Sequence, residues 1–259
     1  MASEALKQAM AMLAASDEAP ELSAQTLAPS KLGTKEHWDS VYQREVNMFN
    51  EIGDEGEVWF GEDAAQDMVD WAEEHFPDTA GRILDVGTGN GQLLFAFSQA
   101  GYTALTGIDY SSLSIQLAES ILKARTAPPA NASEDDDSSS TLPLSSPPPT
   151  FFTADILEVA FGNPVPGVTT ESWDLITDKG TYDAVCLSDE QRQGRRLQDL
   201  YVEAISKLLP KGNWTQTELE KAFVNDQTGL VVHSTVPRAT FEFGGAVGSS
   251  ITTIAFEKQ

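Results

Sequence analysis

The sequence has little cysteine, little histidine and no long apolar run, and each shortage excludes a class of protein. Cys186 is the single cysteine among 259 residues, so an internal disulfide and a cysteine-rich zinc or iron–sulfur site are excluded. The three histidines, His37, His75 and His233, are far apart and give no local support to a metal site. No apolar run approaches the roughly 18 residues that span a bilayer, and Arg44 is the first arginine, which argues against a transit peptide. We therefore expect a protein without a bound metal in a reducing compartment, the cytosol or the nucleus.

Basic residues are also scarce. Sixteen Lys and Arg stand against 40 Asp and Glu, which gives a formal net charge of −24. Such a surface repels phosphate backbones and anionic lipid headgroups. We therefore expect no nucleic acid and no membrane among the partners, and a basic protein in their place.

Composition divides the chain into a leader, a domain and an insert. Residues 1–35 are rich in Ala, Ser and Glu and predict a flexible leader, followed by one domain at 36–259. Residues 126–150 are rich in proline, serine and acidic residues and hold no aromatic or basic side chain. Such a segment buries too little apolar area to offset its ordering entropy, so we predict a disordered insert within the domain.

Apolar runs alternate with amphipathic stretches in the first half of the domain. A strand at 83–86 leads through a glycine cluster to an amphipathic stretch that stops at Gly101, and a strand at 104–109 leads to a helix at 111–125. This β-α-β-α order is typical of a Rossmann-like α/β fold, a parallel sheet with helices on both faces. Further strands are predicted at 150–155, 172–180, 229–235 and 250–258, and further helices at 63–76 and 195–209.

The glycine cluster is the first candidate site. Gly87, Gly89 and Gly91 follow Asp85 at the turn into a helix, where the backbone can approach a ligand and free N–H groups can bind an anion. A dinucleotide site requires G-x-G-x-x-G, and Gln92 stands where its third glycine belongs. The pattern fits S-adenosylmethionine better, because its carboxylate suits the helix N-terminus and its cationic end suits Asp85.

Acidic residues also end the next two strands. Asp109 is placed to accept the ribose hydroxyls of either ligand class, and Asp155 to accept a hydrogen bond from the adenine amino group. We include Tyr110, which follows Asp109, in the predicted cofactor site. The alternative for both carboxylates is capping of the following helix or turn.

The fourth strand ends in DKGTYD, at the edge where an open α/β sheet places its chemistry. The Asn/Asp-Pro-Pro-aromatic motif of enzymes that methylate adenine or glutamine amides is absent. An acid beside a sulfonium suits an amine nucleophile, because the ammonium must first lose a proton. We therefore predict Asp178 and Tyr182 as catalytic residues, with Trp59 as a wall of the cofactor site or of a lysine channel. The alternatives are a turn formed by Asp178 with Lys179 as its surface partner, and core packing for Trp59.

Seven motifs in order resemble one family, the protein-lysine methyltransferases that modify translation elongation factor 1-alpha. They are HWDSVY (37–42), GEVWFG (56–61), ILDVGTGNG (83–91), GIDYS (107–111), DKGTYDA (178–184), NWT (213–215) and F-x-F-G-G (241–245). The resemblance implies a seven-β-strand, S-adenosylmethionine-dependent enzyme of the cytoplasm with a link to intracellular transport, and we expect a monomer. It also implies that the three glycines and Asp109 hold the methionine and ribose ends, that Asp155 faces the adenine and that Asp178 lies near the transferring methyl group.

One departure from this family concerns the centre of the sheet. In the family an apolar strand separates Lys-Gly from Asn-Trp, whereas here Lys211-Gly212 runs directly into Asn213-Trp214. Without this fifth strand its neighbours lose hydrogen-bond partners, so we predict a gap or a shifted strand, with poor folding or low activity. Besides an active methyltransferase, the sequence therefore leaves open a non-catalytic binding protein that retains the cofactor pocket. A nicotinamide oxidoreductase is disfavoured by Gln92.

Overall fold

The computed structural model describes most of the chain between residues 28 and 258. The described residues are 28–127, 143–162, 165, 168, 173–208, 224, 228, 230–235, 241–243, 246–248 and 254–258. A 3-10 helix, Lys31–Gly33, precedes seven α-helices: α1 Lys35–Ile52, α2 Gly61–His75, α3 Gln92–Gln99, α4 Ser112–Thr126, α5 Ile156–Ala160, α6 Thr181–Cys186 and α7 Leu197–Leu208. The strands are β1 Arg82–Val86, β2 Ala104–Asp109, β3 Thr150–Thr153, β4 Leu175–Asp178, β5 Gln191–Arg192, β6 Arg195–Arg196, β7 Leu230–Thr235, β8 Phe241–Phe243, β9 Ala246–Gly248 and β10 Ile254–Lys258.

Four parallel strands form the main sheet, in the order β3-β2-β1-β4. Both faces of β1 are covered, so its apolar residues Ile83, Leu84 and Val86 are all buried. Ile83 packs into one hydrophobic cluster with the helices α1 to α4, and its neighbour Leu84 packs into a second cluster with α5 and α7. The predicted α/β fold with helices on both faces is confirmed.

Helix α1 was not predicted, although its ends carry clear signals. The Thr34 hydroxyl caps the first turn by accepting a hydrogen bond from the His37 backbone N–H, and Gly53 ends the helix in the left-handed conformation, with φ of 76°. Its buried residues, Val41, Tyr42 and Val46, lie on one face together with the half-buried Trp38 and Phe49, at helical spacing. This helix covers the edge of the sheet where the site lies.

The remaining long strands form a separate antiparallel pair. β7 pairs with β10, with Leu230 opposite Lys258, and Leu230 also packs into the cluster that contains α7. In the part of the chain that the structure describes, β4 hydrogen-bonds to β1 alone and no strand separates α7 from β7. The stretch 209–223, where the deletion of the fifth strand was predicted, lies outside the described residues.

The predicted leader and insert are described only at their inner ends. The Ser30 N–H donates to the Leu187 carbonyl oxygen over 3.0 Å, so residues 28–34 contact the end of α6. After the insert, the Ser145 N–H donates to the Ser98 hydroxyl oxygen at 2.8 Å, and β3 begins at Thr150. The predicted helical stretch in residues 3–15 and residues 128–142 of the insert lie outside the described part, and the domain boundaries stay predictions.

Candidate cofactor and active site

A cavity of about 830 Å³ lies over the carboxyl ends of the four parallel strands. Its other walls come from the 3-10 helix, the start of α1 and the segment before α2. Most of the predicted site residues line it: Trp59, Asp85, Gly87, Gly89, Asp109, Tyr110 and Asp155. Gly91, Asp178 and Tyr182 do not. The cavity therefore brings together seven of the eight predicted cofactor residues and neither of the predicted catalytic residues, and their roles stay predictions.

The glycine loop turns the chain from β1 into α3. Gly87, Gly89 and Gly91 have φ of 67°, 58° and 82°, a region that side chains disfavour. A Cβ atom on Gly89 would also lie 2.9 Å from the Tyr42 hydroxyl oxygen. Glycine is thus required here both by the backbone conformation and by the close packing of α1. Gly91 contributes to the turn rather than to the cavity wall, and its neighbours are aromatic rings of the core.

Asp109 joins the end of β2 to the glycine loop. Its carboxylate accepts hydrogen bonds from the N–H groups of Gly89, at 3.2 Å, and Ser111, at 2.9 Å. Burial raises the pKa of Asp109 to about 6, and the charge of Asp85 adds to that increase. Each carboxylate oxygen has a second lone pair, so Asp109 keeps the capacity to accept ligand hydroxyl groups.

Asp85 is 2% exposed at the end of β1 and is held by a hydroxyl group. The Thr177 side chain donates to its Oδ1 atom at 2.8 Å. Burial raises the pKa of Asp85 to about 6, opposed by nearby hydroxyl groups and by the positive charge of Lys179. This carboxylate therefore lies in a low-dielectric wall where a cation would stabilise its charged form.

Lys179 was interpreted as a possible surface partner, yet it lines the cavity. Its Nζ atom donates to the Trp59 carbonyl oxygen at 2.8 Å, which ties the β4 end to the segment before α2. Burial lowers the pKa of Lys179, and the negative charges of Asp85 and Asp178 partly offset that effect. The adjacent DKGT sequence was the available signal for this residue.

Asp155 both caps a helix and lines the cavity, two roles that the sequence left as alternatives. Its Oδ1 atom accepts the Leu157 N–H at the start of α5, at 2.9 Å, and its Oδ2 atom accepts Arg192 Nη1 at 2.7 Å. Both Asp155 and Arg192 line the cavity. Arg192 comes from the β5–β6 hairpin, 37 residues away in the sequence, so no local pattern indicated it.

Asp178 faces the start of α6. It accepts hydrogen bonds from the N–H groups of Thr181, at 2.7 Å, and Tyr182, at 3.0 Å, and from the Tyr201 hydroxyl group at 2.5 Å. Burial raises its pKa to about 6. The Tyr182 ring packs against Tyr201, with ring centroids 5.6 Å apart, and burial raises its pKa. The structure thus brings these two predicted catalytic residues together, but behind the cavity wall.

Three contacts of α1 help to form the cavity roof, the wall made by Trp38, Trp59 and Tyr110. The Trp38 ring contacts Trp59 edge to face at 4.8 Å, and its Nε1 atom donates to the Leu32 carbonyl oxygen at 2.7 Å. Lys35 lies over the Tyr110 ring, with Nζ 5.4 Å from the centroid. Trp59 therefore serves packing and lines the cavity at once.

A polar network holds residues 55–57, in the segment before α2, in place. Asn90 Nδ2 donates to the carbonyl oxygens of Glu55, at 2.9 Å, and Glu57, at 3.4 Å. The Glu55 carboxylate is paired with Arg125 and also accepts Gln92 Nε2 at 2.7 Å. Asn90 was not among the predicted site residues, although it holds the segment before α2 in place.

Two other kinds of site are absent from the described residues. Within them, no cluster of three or more His, Cys, Asp or Glu side chains is placed to hold a metal ion. Among the helices that the structure describes, none combines the length and apolarity that a membrane crossing needs.

The chain is similar to proteins of one kind over most of its length, although no protein-family model matches it. It is 40% identical over 253 residues to protein-lysine N-methyltransferase efm4 of Schizosaccharomyces pombe, which covers 89% of this chain and 95% of that protein. It is 34% identical over 244 residues to EEF1A lysine methyltransferase 2 of Mus musculus, covering 91% of this chain and 87% of that protein.

A solved structure supports the fold alone. The (4+2)-cyclase SpnF has a TM-score of 0.50 and 16% identity, over 81% of this chain and 76% of its own. The names of these relatives do not refer to transport, and that predicted link is without support. The identities of 40% and 34% over nearly whole chains confirm the resemblance seen in the motifs. The chain belongs to the protein-lysine N-methyltransferase family that includes efm4 and EEF1A lysine methyltransferase 2.

Proposed function

We propose that this chain transfers a methyl group from S-adenosylmethionine to a lysine ε-amine of translation elongation factor 1-alpha. The observation that carries the proposal is the cavity over the glycine loop, lined by the carboxylates that end β1, β2 and β3. The relatives named for lysine methylation and for EEF1A support the same reaction and substrate. The proposal includes the cytoplasmic location and the monomeric state expected from the sequence.

The donor and acceptor groups of the cavity fit this cofactor. In the proposed arrangement, Gly87 and Gly89 admit its methionine end, where the acidic Asp85 suits a cation. Asp109 accepts the ribose hydroxyls through its remaining lone pairs, and Asp155 accepts the adenine amino group. Trp59 and Tyr110 supply apolar walls for the same ligand.

The protein contributes orientation, exclusion of water and proton handling. S-adenosylmethionine supplies an electrophilic methyl group on a cationic sulfur atom. The aromatic roof over the cavity lowers the local dielectric constant, which strengthens the attraction between buried carboxylates and a cation. A lysine ammonium must lose a proton before it can act as a nucleophile, so a carboxylate near the mouth of the cavity promotes the reaction.

The acidic surface supports a basic protein as the substrate. Helix α2, which starts directly after the cavity residues Trp59 and Phe60, carries a row of exposed acidic side chains: Glu62, Asp63, Asp70, Glu73 and Glu74. With a net charge of −24 for the whole chain, such a surface attracts and orients a positively charged partner at low salt.

A binding and transfer experiment tests this proposal. Calorimetric titration of the full chain with S-adenosylmethionine is expected to show micromolar binding, and titration with NADH none. Incubation with S-adenosylmethionine and purified elongation factor 1-alpha is then expected to add methyl groups to a lysine, as detected by mass spectrometry of its peptides. Asp109→Asn should lose both binding and transfer, whereas Asp189→Asn, which removes an exposed carboxylate outside the cavity, should keep both. Binding without transfer would favour the non-catalytic alternative.

A further inference from the structure

Asp178, the carboxylate predicted to act on the substrate amine, is already hydrogen-bonded to other residues of the protein. Asp178 accepts three hydrogen bonds from within the protein, of 2.5 to 3.0 Å, and does not line the cavity. An arriving ammonium group would have to displace the N-terminal turn of α6 to reach it. If the proposed function holds, another group must receive the amine.

Asp183 lies on the same segment and faces the cavity. It belongs to α6, whose first residue Thr181 donates its hydroxyl hydrogen to the Val86 carbonyl oxygen at 2.8 Å, directly before the glycine loop. The Asp183 side chain is exposed at the mouth and makes no hydrogen bond or ion pair with any described residue. The surrounding walls withdraw enough water to raise the pKa of Asp183.

The other carboxylates at the strand ends are engaged. Asp85 and Asp109 are almost fully buried and accept hydrogen bonds from the protein. Asp155 and Glu190 are both paired with Arg192, at 2.7 and 2.9 Å. Asp183 is not the only exposed carboxylate of the cavity among the described residues, because Glu36, Glu57 and Glu158 also line it. Of these four, Asp183 is the one on the helix whose first residue is hydrogen-bonded to Val86, directly before the glycine loop.

An aromatic ring lies beside this position. Phe60 lines the cavity and remains 42% exposed, and a Cβ atom on Gly180, three residues before Asp183, would collide with its ring. Phe60 also adopts φ of 63°, a conformation that is unusual for a bulky residue. Such strained backbone conformations persist only where the surrounding structure holds them in place, and they are common at active and ligand-binding sites. A half-exposed ring suits the methylene chain and cationic end of a lysine.

We propose that Asp183 is the catalytic carboxylate that receives the substrate ammonium at the mouth of the cavity, with Phe60 as the wall of the lysine channel. This inference rests on the proposed function. Asp183 accepts one proton from the ammonium and later releases it to water. The lysine nitrogen then forms a bond to the methyl carbon as the carbon–sulfur bond breaks, and the electron pair of that bond stays on sulfur. The products are the methylated lysine in its ammonium form, which now carries the positive charge, and a neutral thioether.

The charged and titratable neighbours of Asp183 come from several elements. Its negative charge helps to raise the pKa values of Asp178 at the end of β4 and of Cys186 on α6. Further charged or titratable residues lie on the elements that pack against α6: Lys31 on the 3-10 helix, Arg196 just before α7, and Asp199 and Tyr201 on α7. Lys179 lies just before α6 in the sequence.

The experiment compares Asp183→Asn with Asp189→Asn and Asp183→Glu in the full chain. Methylation of elongation factor 1-alpha is measured at pH 7.5 and pH 10, and thermal melting establishes that each variant folds. General-base catalysis typically contributes about 100-fold or more, so Asp183→Asn should lose about that factor in kcat at pH 7.5. At pH 10 the amine deprotonates in solution, so the deficit should shrink to less than about tenfold. Asp183→Glu should recover part of the loss, and Asp189→Asn should match the unchanged protein.

A second readout does not depend on the elongation factor. Binding of butylammonium, which has the chemistry of the end of a lysine side chain, is measured by NMR on the full chain saturated with S-adenosylhomocysteine. Asp183→Asn should weaken this binding at least tenfold at pH 7.5, and Phe60→Ala should weaken it as well. Equal affinity in Asp183→Asn and the unchanged protein would overturn the assignment. If the elongation factor is not methylated at all but butylammonium binding depends on Asp183, the proposed substrate is wrong and the amine site stands.

Discussion

Replacing the buried Asp85 by asparagine is expected to flatten the pH dependence of folding stability. The asparagine side chain has nearly the same shape and can still accept the hydroxyl hydrogen of Thr177. The substitution removes a carboxyl group that is 2% exposed and whose pKa is raised by burial from 3.8 to about 6. The charge of Asp85 also helps to raise the pKa of Asp109. Removing that charge therefore lowers the pKa of Asp109 and weakens its contribution to the pH dependence as well.

The magnitude follows from proton linkage. Because folding raises the pKa of Asp85, the folded state binds more protons than the unfolded state between about pH 4 and pH 6, and stability falls as the pH rises through this window. At about 1.4 kcal/mol per pKa unit, the shift costs the folded protein about 3 kcal/mol once the group is ionised. About 1 kcal/mol of that loss arises between pH 5 and pH 7.

Urea unfolding at pH 5, 6 and 7 measures this difference. The free energy of unfolding of the unchanged protein should decrease across the range, and that of Asp85→Asn should decrease by about 1 kcal/mol less. Asp189→Asn removes the same charge from an exposed position and should follow the unchanged protein. Carboxylates whose pKa is lowered, such as Glu55, lose their stabilising effect mainly below about pH 5 and interfere little. Identical pH slopes for Asp85→Asn and the unchanged protein would refute the reasoning.

Three further predictions concern the buried polar network, the glycine loop and the sheet. Tyr201→Phe removes a hydrogen bond to buried Asp178 and should lower the free energy of unfolding by about 1–3 kcal/mol in urea titrations, with no change if that bond contributes nothing. Gly89→Ala forces a side chain into a left-handed conformation against Tyr42 and should weaken S-adenosylmethionine binding at least tenfold by calorimetry, whereas unchanged affinity would contradict the role of the loop. The predicted deletion of the fifth strand should leave a domain that melts below about 45 °C by circular dichroism, and a cooperative transition above that temperature would refute the predicted instability.

The elements that the sequence predicted well are those whose burial is nearly uniform. Ile83, Leu84 and Val86 are buried on both faces of the sheet, so the apolar run marks β1 without ambiguity. Strand β2 was predicted with the bounds that the structure has. Helix α1 was missed although Trp38, Tyr42, Val46 and Phe49 recur at intervals of three and four residues, because this stretch was interpreted by its aromatic content and not by the spacing of its apolar residues.

The parts of the site that depend on backbone geometry were predictable from the sequence. The direction in which a side chain points, and contacts between residues far apart in the sequence, were not. The glycine loop and Asp109 were found because a tight strand-to-helix turn requires small residues and a strand end places its last side chain at the sheet edge. Sequence could not tell whether Asp178 or Lys179 would face the cavity. Gly180, with φ of 98°, turns the chain back so that Asp178 caps α6. Arg192 could not be predicted, because its contact with Asp155 joins segments that are distant in sequence.

The contacts ahead of α1 make residues of the predicted leader part of the cavity wall. Leu32 and Gly33 line the cavity, and Ser30 is hydrogen-bonded to Leu187 at the far end of α6. A protein shortened to start at residue 36 would lose the carbonyl oxygen that receives the Trp38 indole N–H, and with it a support of the cavity roof. Truncations and fusion tags in this region are therefore changes to the enzyme's binding site, and affinities measured on shortened versions would describe a different cavity.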